Sequence, residues 1–487
     1  MYIGIDLGTS GVKTILMSDN GDILATTTCK LDVSIPKPLW SEQDPQHWWQ
    51  GTVNCLDQLS QQQNLSTVKA IGLAGQMHGA TLLDAGDKVL RPAILWNDGR
   101  SEKQCQQIEA DVRTSKQITG NLVMPGFTAP KLLWVKQNEP DIFDKISKVL
   151  LPKDYLRLCL TGDYASDMSD SAGTSWLDVG KRQWSSEMLA ATGLTNEQMP
   201  SLYEGSEITG YLLPELAQKW GMQKVAVVAG GGDNAAGAVG VGIVNPGQAM
   251  LSLGTSGVYF AVSEGYKSNP ESAVHSFCHA LPNSWHLMSV MLSAASCLDW
   301  FANNSGISDV GTLLADVELN TRIDDPSVPY FLPYLTGERT PHNNPNATAS
   351  FFGMTSATNK TLLGQAVLQG VSMALADGMD ALHAAGMQPD DISLIGGGAR
   401  NAYWRQLLAD VLGKPVSYRQ GGEVGPALGA ARLAQLAMNP GTSIADICPI
   451  PKLVESHQPN PQLADYYQQR RNTFRQLYSQ TEQLFSP

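Results

Sequence analysis

A six-residue segment, Leu-Gly-Thr-Ser-Gly-Val, occurs twice in the chain, at 7–12 and again at 253–258. Apolar β-forming residues precede and follow each copy, so both are predicted to be hairpins with a Gly-Thr-Ser-Gly turn. Glycine permits positive φ and leaves backbone N–H groups accessible beside the short hydroxyls. Two unrelated tight turns are the alternative, but an identical hexapeptide in matching context favours an ancient duplication. Such turns suit phosphoryl oxygens, and a facing pair would hold one polyphosphate from both sides.

The two copies differ at the residue before the hexapeptide, which is Asp6 in the first and Ser252 in the second. A carboxylate beside a phosphate-binding turn is repulsive unless a cation lies between them. Asp6 is therefore a candidate Mg2+ ligand, directly or through water, because Mg2+ keeps several of its waters in proteins. The alternative is an aspartate that only closes its own turn.

A second informative segment is Gly-Gly-Gly-Asp-Asn at 230–234, which follows an apolar run. That run is predicted to be a buried strand, and ligands bind outside the carboxyl ends of strands in open α/β sheets. Asp233 is a candidate general base that would accept the proton of a hydroxyl attacking a γ-phosphate. A helix N-cap is an equally good explanation for Asp233 on these residues alone.

The segment Gly-Gly-Gly-Ala-Arg at 396–400 lies between a predicted strand at 391–395 and a predicted helix at 402–412. Its glycines would let the backbone approach a flat ligand such as adenine, although a plain tight turn fits nearly as well. His275 and His279 lie in a strand-like segment, which favours packing over metal binding.

Other well-known catalytic signatures are absent from the sequence. There is no GxxxxGK[ST] phosphate loop, although 8–14 comes near it with the wrong spacing. The protein-kinase HRD and DFG pair and the HExxH metal motif are missing too.

The elements around these segments alternate between helix and strand, which predicts the α/β class. Asp44-Pro45 is predicted to cap and begin a helix, and a longer helix is predicted at 362–385. The tail at 465–485 is predicted to be a helix whose basic face is solvated. The most economical boundary lies at 241–247, so we expect closely packed domains at 1–243 and 244–487.

Composition excludes several classes of protein. Of 487 residues, 43% are hydrophobic and 16% charged, which is typical of a folded globular chain with two domains. The net charge of -13 disfavours nucleic acid and anionic membrane surfaces as partners. We find neither a secretory signal nor a bilayer-spanning run. Seven scattered cysteines without a CxxC pair predict reduced thiols and a cytoplasmic location.

Taken together, the segments resemble the FGGY family of carbohydrate kinases. The residues that carry the resemblance are IGIDLGTSGVK at 3–13, GFTAPKLLW at 126–134, GGGDNAAGAVG at 230–240, the second LGTSGV, YLTGERTP at 334–341 and IGGGAR at 395–400. Within the family, the segments 38–45, 74–84 and 94–100 look most like those of members that phosphorylate D-xylulose.

The resemblance implies two ribonuclease H-like, actin-like domains around a deep cleft, with ATP and Mg2+ as cofactors and D-xylulose as the sugar. It implies Asp233 as the general base, and Asp6 and Asp233 at the metal. The sugar site would comprise Met77, His78, Asp233 and Asn234. The nucleotide would contact Gly8, Thr9, Ser10, Lys13, Gly254, Thr255, Ser256, Gly397 and Gly398. Individual roles for Trp96, Asp98 and Arg100 are not assigned, and His78 as a core histidine stays open.

Three alternatives remain open on the sequence alone. Another sugar of the same family, such as ribulose, L-xylulose, gluconate or glycerol, would fit the same motifs. An actin-like ATP switch or a non-catalytic sugar sensor would use similar hairpins without phosphorylating a sugar.

A homodimer is possible as the oligomeric state, since an exposed sheet edge or an apolar helix face would support one.

Overall fold

The protein is described by a computed structural model that covers residues 1–420 and 425–485. In chain order the strands are β1 Tyr2–Gly8, β2 Gly11–Met17, β3 Ile23–Lys30, β4 Glu42–Gln43, β5 Ala70–Gly75, β6 Thr81–Leu83, β7 Ala93–Ile94, β8 Lys148–Leu150, β9 Ala165–Asp167, β10 Leu177–Asp178, β11 Gln183–Trp184, β12 Ser201–Tyr203, β13 Ile208–Tyr211, β14 Ala226–Val228, β15 Gly231–Gly232, β16 Gln248–Leu253, β17 Gly257–Ser263, β18 His275–Cys278, β19 Trp285–Met291, β20 Tyr330–Leu332, β21 Ser350–Phe352, β22 Asp391–Ile395, β23 Val416–Arg419 and β24 Leu453–His457.

The helices in chain order are α1 Pro45–Gln62, α2 Glu102–Asp111, α3 Ser115–Thr119, α4 Thr128–Asn138, α5 Pro140–Phe143, α6 Pro152–Thr161, α7 Met168–Ser171, α8 Ser186–Thr192, α9 Pro214–Lys219, α10 Asp233–Gly240, α11 Ser296–Asn304, α12 Val310–Asn320, α13 Lys360–Ala384, α14 Ala402–Leu412, α15 Gly425–Met438, α16 Ile444–Ile447 and α17 Ala464–Thr481. Short 3-10 turns join several of them. The predicted strand at 391–395 and the predicted helix at 402–412 are confirmed, residue for residue.

Two large sheets form the framework, and they repeat one pattern. The first runs β13-β14-β5-β1-β2-β3, and the second runs β18-β19-β17-β16-β22-β23-β24. In each, an antiparallel three-strand meander (β1-β2-β3 or β16-β17-β19) adjoins two parallel strands. The predicted α/β class is confirmed, and the shared strand order supports the duplication suggested by the repeated hexapeptide.

Helices cover both faces of the first sheet. On one face lies α1, whose first turn is capped as predicted: the Asp44 side chain accepts from the Gln46 N–H at 2.9 Å. On the other face lie α10 and, from much later in the chain, α15. The approach of α15 is very close, since a Cβ added to Gly4 or Gly72 would come within 1.9 Å of its backbone carbonyls.

The C-terminal helix α17 differs in part from the prediction, because two of its three arginines are buried while Arg475 is exposed. Arg470 is buried and donates to the carbonyls of Val328 and Pro329, at 3.0 Å each. Arg471 is also buried and pairs with Asp380 at 2.6 Å. These two guanidinium groups can be buried because carbonyls and carboxylates of distant segments accept their hydrogen bonds.

The buried histidines and cysteines fit the packing roles predicted for them. His275 stacks on Phe277, and His279 meets Phe260 edge-on. All seven cysteines are free, and five are buried. Within 1–420 and 425–485, no group of three or more His, Cys, Asp or Glu side chains is placed to hold a metal. In the same residues, no helix combines the length and the apolar character needed to span a bilayer.

Candidate active site

Both hexapeptides form hairpins, as the flanking β-formers predict. In the first, Gly8 pairs with Gly11, which leaves Thr9 and Ser10 at the tip. In the second, Leu253 pairs with Gly257 around a turn closed by the Gly254 N–H donating to the Ser256 carbonyl at 3.1 Å. That the two tips face each other across one polyphosphate stays a prediction.

Asp6 and Asp233 are brought together although 226 positions separate them in the chain. Asp6 lies on β1 opposite Lys13 of β2, and Asp233 is the first residue of α10. Burial and repulsion from Asp233 raise the pKa of Asp6 to about 7, against a smaller lowering effect of Lys13. Burial likewise raises the pKa of Asp233 to about 6. Two close carboxylates with raised pKa values are a natural place for a cation or a proton.

The carboxylate of Asp233 is oriented by the residue that follows it. One oxygen accepts from the backbone N–H of Asn234 at 2.7 Å and from its side-chain amide at 2.9 Å. The N-cap of α10 is Gly232, which makes no side-chain capping bond. The alternative of Asp233 as an N-cap is therefore wrong, and its second carboxylate oxygen is left for other partners.

Met77 and His78 lie beside the segment that carries Asp233. A Cβ on Gly232 would come within 2.9 Å of the Met77 sulfur, and one on Gly173 within 2.5 Å of the His78 ring. His78 has a φ of 71°, an uncommon conformation for a residue with a side chain. Met77 therefore packs against the residue that precedes Asp233, whereas His78, next to Met77 in the chain, packs against Gly173.

Hydrogen bonds and a ring contact fix the strained backbone and the side chain of His78. Its carbonyl accepts from the buried Lys131 ammonium at 3.0 Å and from the Thr128 hydroxyl at 3.2 Å. Its Nδ1 lies 2.6 Å from the Gly173 carbonyl, and its ring stacks on Phe127 at 4.7 Å. Burial lowers the pKa of His78 to about 3, so the imidazole is neutral. A neutral imidazole whose Nδ1–H donates to a carbonyl presents Nε2 as an acceptor.

A cavity of about 250 Å3 opens between the two halves of the chain. From the first half it is lined by the motif 94–100, including Trp96 and Asp98, and from the second half by Glu338 and Arg339. The Trp96 indole N–H donates to the Thr9 hydroxyl at 3.0 Å, which links this wall to the first hairpin.

Arg100 has a different role from its neighbours in the same motif. Its guanidinium is 1% exposed and pairs with Asp98 and Glu42, both at 2.7 Å. It also lies 3.6 Å from the ring centroid of Trp40. Arg100 therefore holds the motif in place and does not reach the cavity.

A second cavity, of about 360 Å3, joins the second hairpin to the Gly-Gly-Gly-Ala-Arg turn. It brings together four residues that were expected at the nucleotide, namely Gly254, Thr255, Gly397 and Gly398. A Cβ on Gly397 would meet no atom within 4 Å, whereas one on Gly398 would come within 2.6 Å of the Trp404 ring. Gly397 therefore presents open backbone to the cavity, and Gly398 is required by packing. Ser256 does not line this cavity.

Glu338 and Arg339 were not assigned a role from the sequence. Burial raises the pKa of Glu338 to about 8, and its carboxyl accepts from the Leu292 N–H at 3.0 Å. Arg339 lies 3.4 Å from Nε2 of His275. Their signal in the sequence is the segment at 334–341 that carries the family resemblance, which does not by itself place this pair on the far side of a cleft.

The comparisons with known proteins agree with this geometry. The family model described as FGGY family of carbohydrate kinases, N-terminal domain, matches residues 1–240, and that of the C-terminal domain matches 249–438. The chain belongs to the FGGY family of carbohydrate kinases. The two-domain, actin-like kinase fold expected from the motifs is thereby confirmed.

Individual members of the family are similar to this chain over almost its whole length. The chain is 64% identical to the xylulose kinase of Escherichia coli (strain K12), over 99% of both chains, and 58% identical to that of Klebsiella pneumoniae, over 100% of both. Among solved structures, a xyloylose kinase of Brucella ovis is 48% identical, with a TM-score of 0.95 and 99% of each chain covered.

Proposed function

We propose that the protein transfers the γ-phosphoryl group of ATP to the terminal O5 hydroxyl of D-xylulose, giving D-xylulose 5-phosphate. The observation that carries this proposal is the approach of Asp6 to Asp233, the first residue of α10, with the Met77 sulfur packed against the adjoining Gly232. The two relatives that are 58–64% identical over almost the whole chain are xylulose kinases, which supports the choice of sugar.

Asp233 is the general base of the transfer. With a pKa of about 6 it is ionised at neutral pH, yet it is more basic than an ordinary aspartate. Asn234 holds one oxygen, so the other is free to accept the O5 proton as the hydroxyl attacks phosphorus in line. The neutral imidazole of His78 accepts from a sugar hydroxyl, and a sugar without that hydroxyl would leave a polar group unpaired.

The residues present fit a divalent cation. Asp6 and Asp233 both have pKa values raised by burial, and each carboxylate would be stabilised by positive charge between them. Two protein carboxylates suit Mg2+, which completes its six oxygens with waters and phosphates. When bound, the cation would supply charge neutralisation at the β- and γ-phosphates.

The remaining nucleotide contacts come from the hairpin tips and the glycine turn. Gly8, Thr9, Ser10 and Lys13 on the first hairpin and Gly254, Thr255 and Ser256 on the second are proposed for the phosphates. Gly397 and Gly398 are proposed for the adenosine, since the cavity of about 360 Å3 lies against them. Closure of the two halves, divided near residue 243, would exclude water and prevent hydrolysis of ATP.

A coupled ADP-release assay tests the proposal. We expect ADP release that depends on D-xylulose, and a panel with ribulose, L-xylulose, gluconate and glycerol to show weaker rates. Fast ADP release without any sugar would favour an actin-like switch, and no release at all would favour a sugar sensor.

We place the reaction in the cytoplasm because all seven cysteines are unpaired. A homodimer stays a prediction.

A further inference from the structure

The loop that delivers Asp233 has no side chains of its own to hold it. Residues 230–232 are all glycine, and Gly230 has a φ of 79°. Glycine has the largest backbone freedom of any residue, so contacts from outside must fix the backbone of this loop. Gly231 and Gly232 pair with Ala74 and Gly75 of β5, and buried side chains hold the chain at either end of them. A carboxylate that must meet an attacking hydroxyl within hydrogen-bond distance needs that order.

The chain entering the loop is held by Arg157 of α6. Its guanidinium is fully buried and donates to the carbonyl of Val228 at 2.6 Å and to that of Ala229 by a shorter bond. It also donates to the Thr209 hydroxyl at 2.8 Å. The planar fork of arginine thereby fixes two consecutive peptide groups at the end of β14.

The chain leaving the loop is held by Ser169 of α7. Its hydroxyl oxygen accepts from the Gly232 N–H at 3.1 Å. The same hydroxyl donates to the carboxylate of Asp167, which also accepts from the Ser169 backbone N–H at 2.7 Å. The direction of both bonds is fixed, because a carboxylate can only accept.

Lys153 joins the two holding points into one network. Its ammonium lies 2.8 Å from Asp167, 2.6 Å from Asp154 and 3.1 Å from Asp170. Arg157 lies 4.0 Å from Asp154, and all five charged side chains are 0% exposed. Ions buried so completely lose more by desolvation than they gain by pairing, so stability alone is a poor reason for them.

We propose that Lys153, Arg157 and Ser169 are positioning residues of phosphoryl transfer, which hold both ends of the glycine loop so that Asp233 keeps its place. The inference rests on the proposed function, in which Asp233 accepts the proton. None of Lys153, Arg157 and Ser169 lines the cavity between the two halves or the cavity beside Gly397, so the network acts only through the loop.

Hydrogen exchange on the full-length protein tests the positioning directly and needs no activity. Ser169→Ala removes the acceptor of the Gly232 N–H, and Ser171→Ala is its matched control. Ser171 is buried in the same helix, and within the described residues its hydroxyl bonds to Ser166, at 2.9 Å, and not to the glycine segment. We expect amide exchange in 230–236 to rise about tenfold in Ser169→Ala and to stay unchanged in Ser171→Ala. Equal exchange in both variants would overturn the proposal.

Kinetics of the same variants separate positioning from structural damage. We expect Ser169→Ala to lower kcat about tenfold with the KM for D-xylulose within about twofold of wild type. In an Asp233→Asn background the same substitution should cause no further fall, since the group it positions is gone. A raised KM at constant kcat, or an equal loss in Ser171→Ala, would contradict the inference. A wild-type protein inactive on D-xylulose would refute the proposed function, and the exchange result would still decide the positioning.

Discussion

Replacing Asp233 by asparagine should separate catalysis from stability. The amide oxygen of the new side chain can still accept from Asn234, so the geometry of α10 is preserved. The base is lost, and general-base catalysis contributes roughly 100- to 10,000-fold. We therefore expect kcat to fall by about that factor, while the KM for D-xylulose stays within about threefold.

The same substitution should make the metal-free protein more stable. The pKa of Asp233 is about 6 in the folded protein, against an ordinary value of 3.8 for an aspartate in the unfolded chain, so the ionised form opposes folding. This penalty is absent at low pH, grows between these two pKa values and is complete above the folded one. A shift of this size corresponds to at most about 3 kcal/mol, and partial solvent contact reduces it, so we expect a gain of about 1–3 kcal/mol.

The assay combines ADP release with urea unfolding, both near pH 7.5 and, for the unfolding, without Mg2+. The difference in unfolding free energy between Asp233→Asn and the wild type should disappear as the pH falls below the pKa of Asp233, because the wild-type carboxylate is then protonated. Near-normal turnover in Asp233→Asn would refute the role of the base. A large fall in stability would refute the account of its raised pKa.

Three further predictions concern the metal, the sugar and the nucleotide. Asp6→Asn should raise the Mg2+ concentration needed for half-maximal rate by tenfold or more. In the wild type that concentration should rise as the pH falls below about 7, because protons then compete with Mg2+ for Asp6. An unchanged Mg2+ dependence in the variant would exclude Asp6 as a metal ligand. Gly173→Ala should press on His78 and raise the KM for D-xylulose about tenfold at constant KM for ATP, whereas equal changes in both would contradict a local effect. Gly397→Ala should leave the stability unchanged, since the added Cβ meets no protein atom, but should raise the KM for ATP severalfold because the methyl group enters the cavity; an unchanged KM for ATP would refute the cavity assignment, and Gly398→Ala should instead lower the stability through its contact with Trp404.

Local signals in the sequence were sufficient for most of the framework. The helix 402–412, the strand 391–395 and the capped start of α1 follow from periodicity and from an Asp-Pro pair. These features depend on residues within a few positions of one another. The repeated hexapeptide likewise predicted two hairpins, because the turn and its flanking strands are contiguous.

The parts of the fold and the site that the sequence did not predict depend on contacts between distant segments. Arg470 of α17 was predicted to be solvated because the carbonyls of Val328 and Pro329, which accept its hydrogen bonds, are about 140 positions away. Arg339 lines the cavity with Trp96 only because the two sheets are set against each other. The approach of Asp6 to Asp233 came from the family resemblance, since nothing in the spacing of these residues indicates it.

The helix α15 has a consequence for how the chain is made. It covers one face of β1 and β5, strands that leave the ribosome among the first 75 residues, yet it is itself encoded at Gly425–Met438. Until synthesis reaches that point, Gly4 and Gly72 on this face lack the helix that packs against them, although α10 covers part of the face earlier. A nascent chain therefore carries an unfinished apolar surface until nearly nine-tenths of it has been made, and a premature stop after the second sheet's first strands would leave an aggregation-prone fragment.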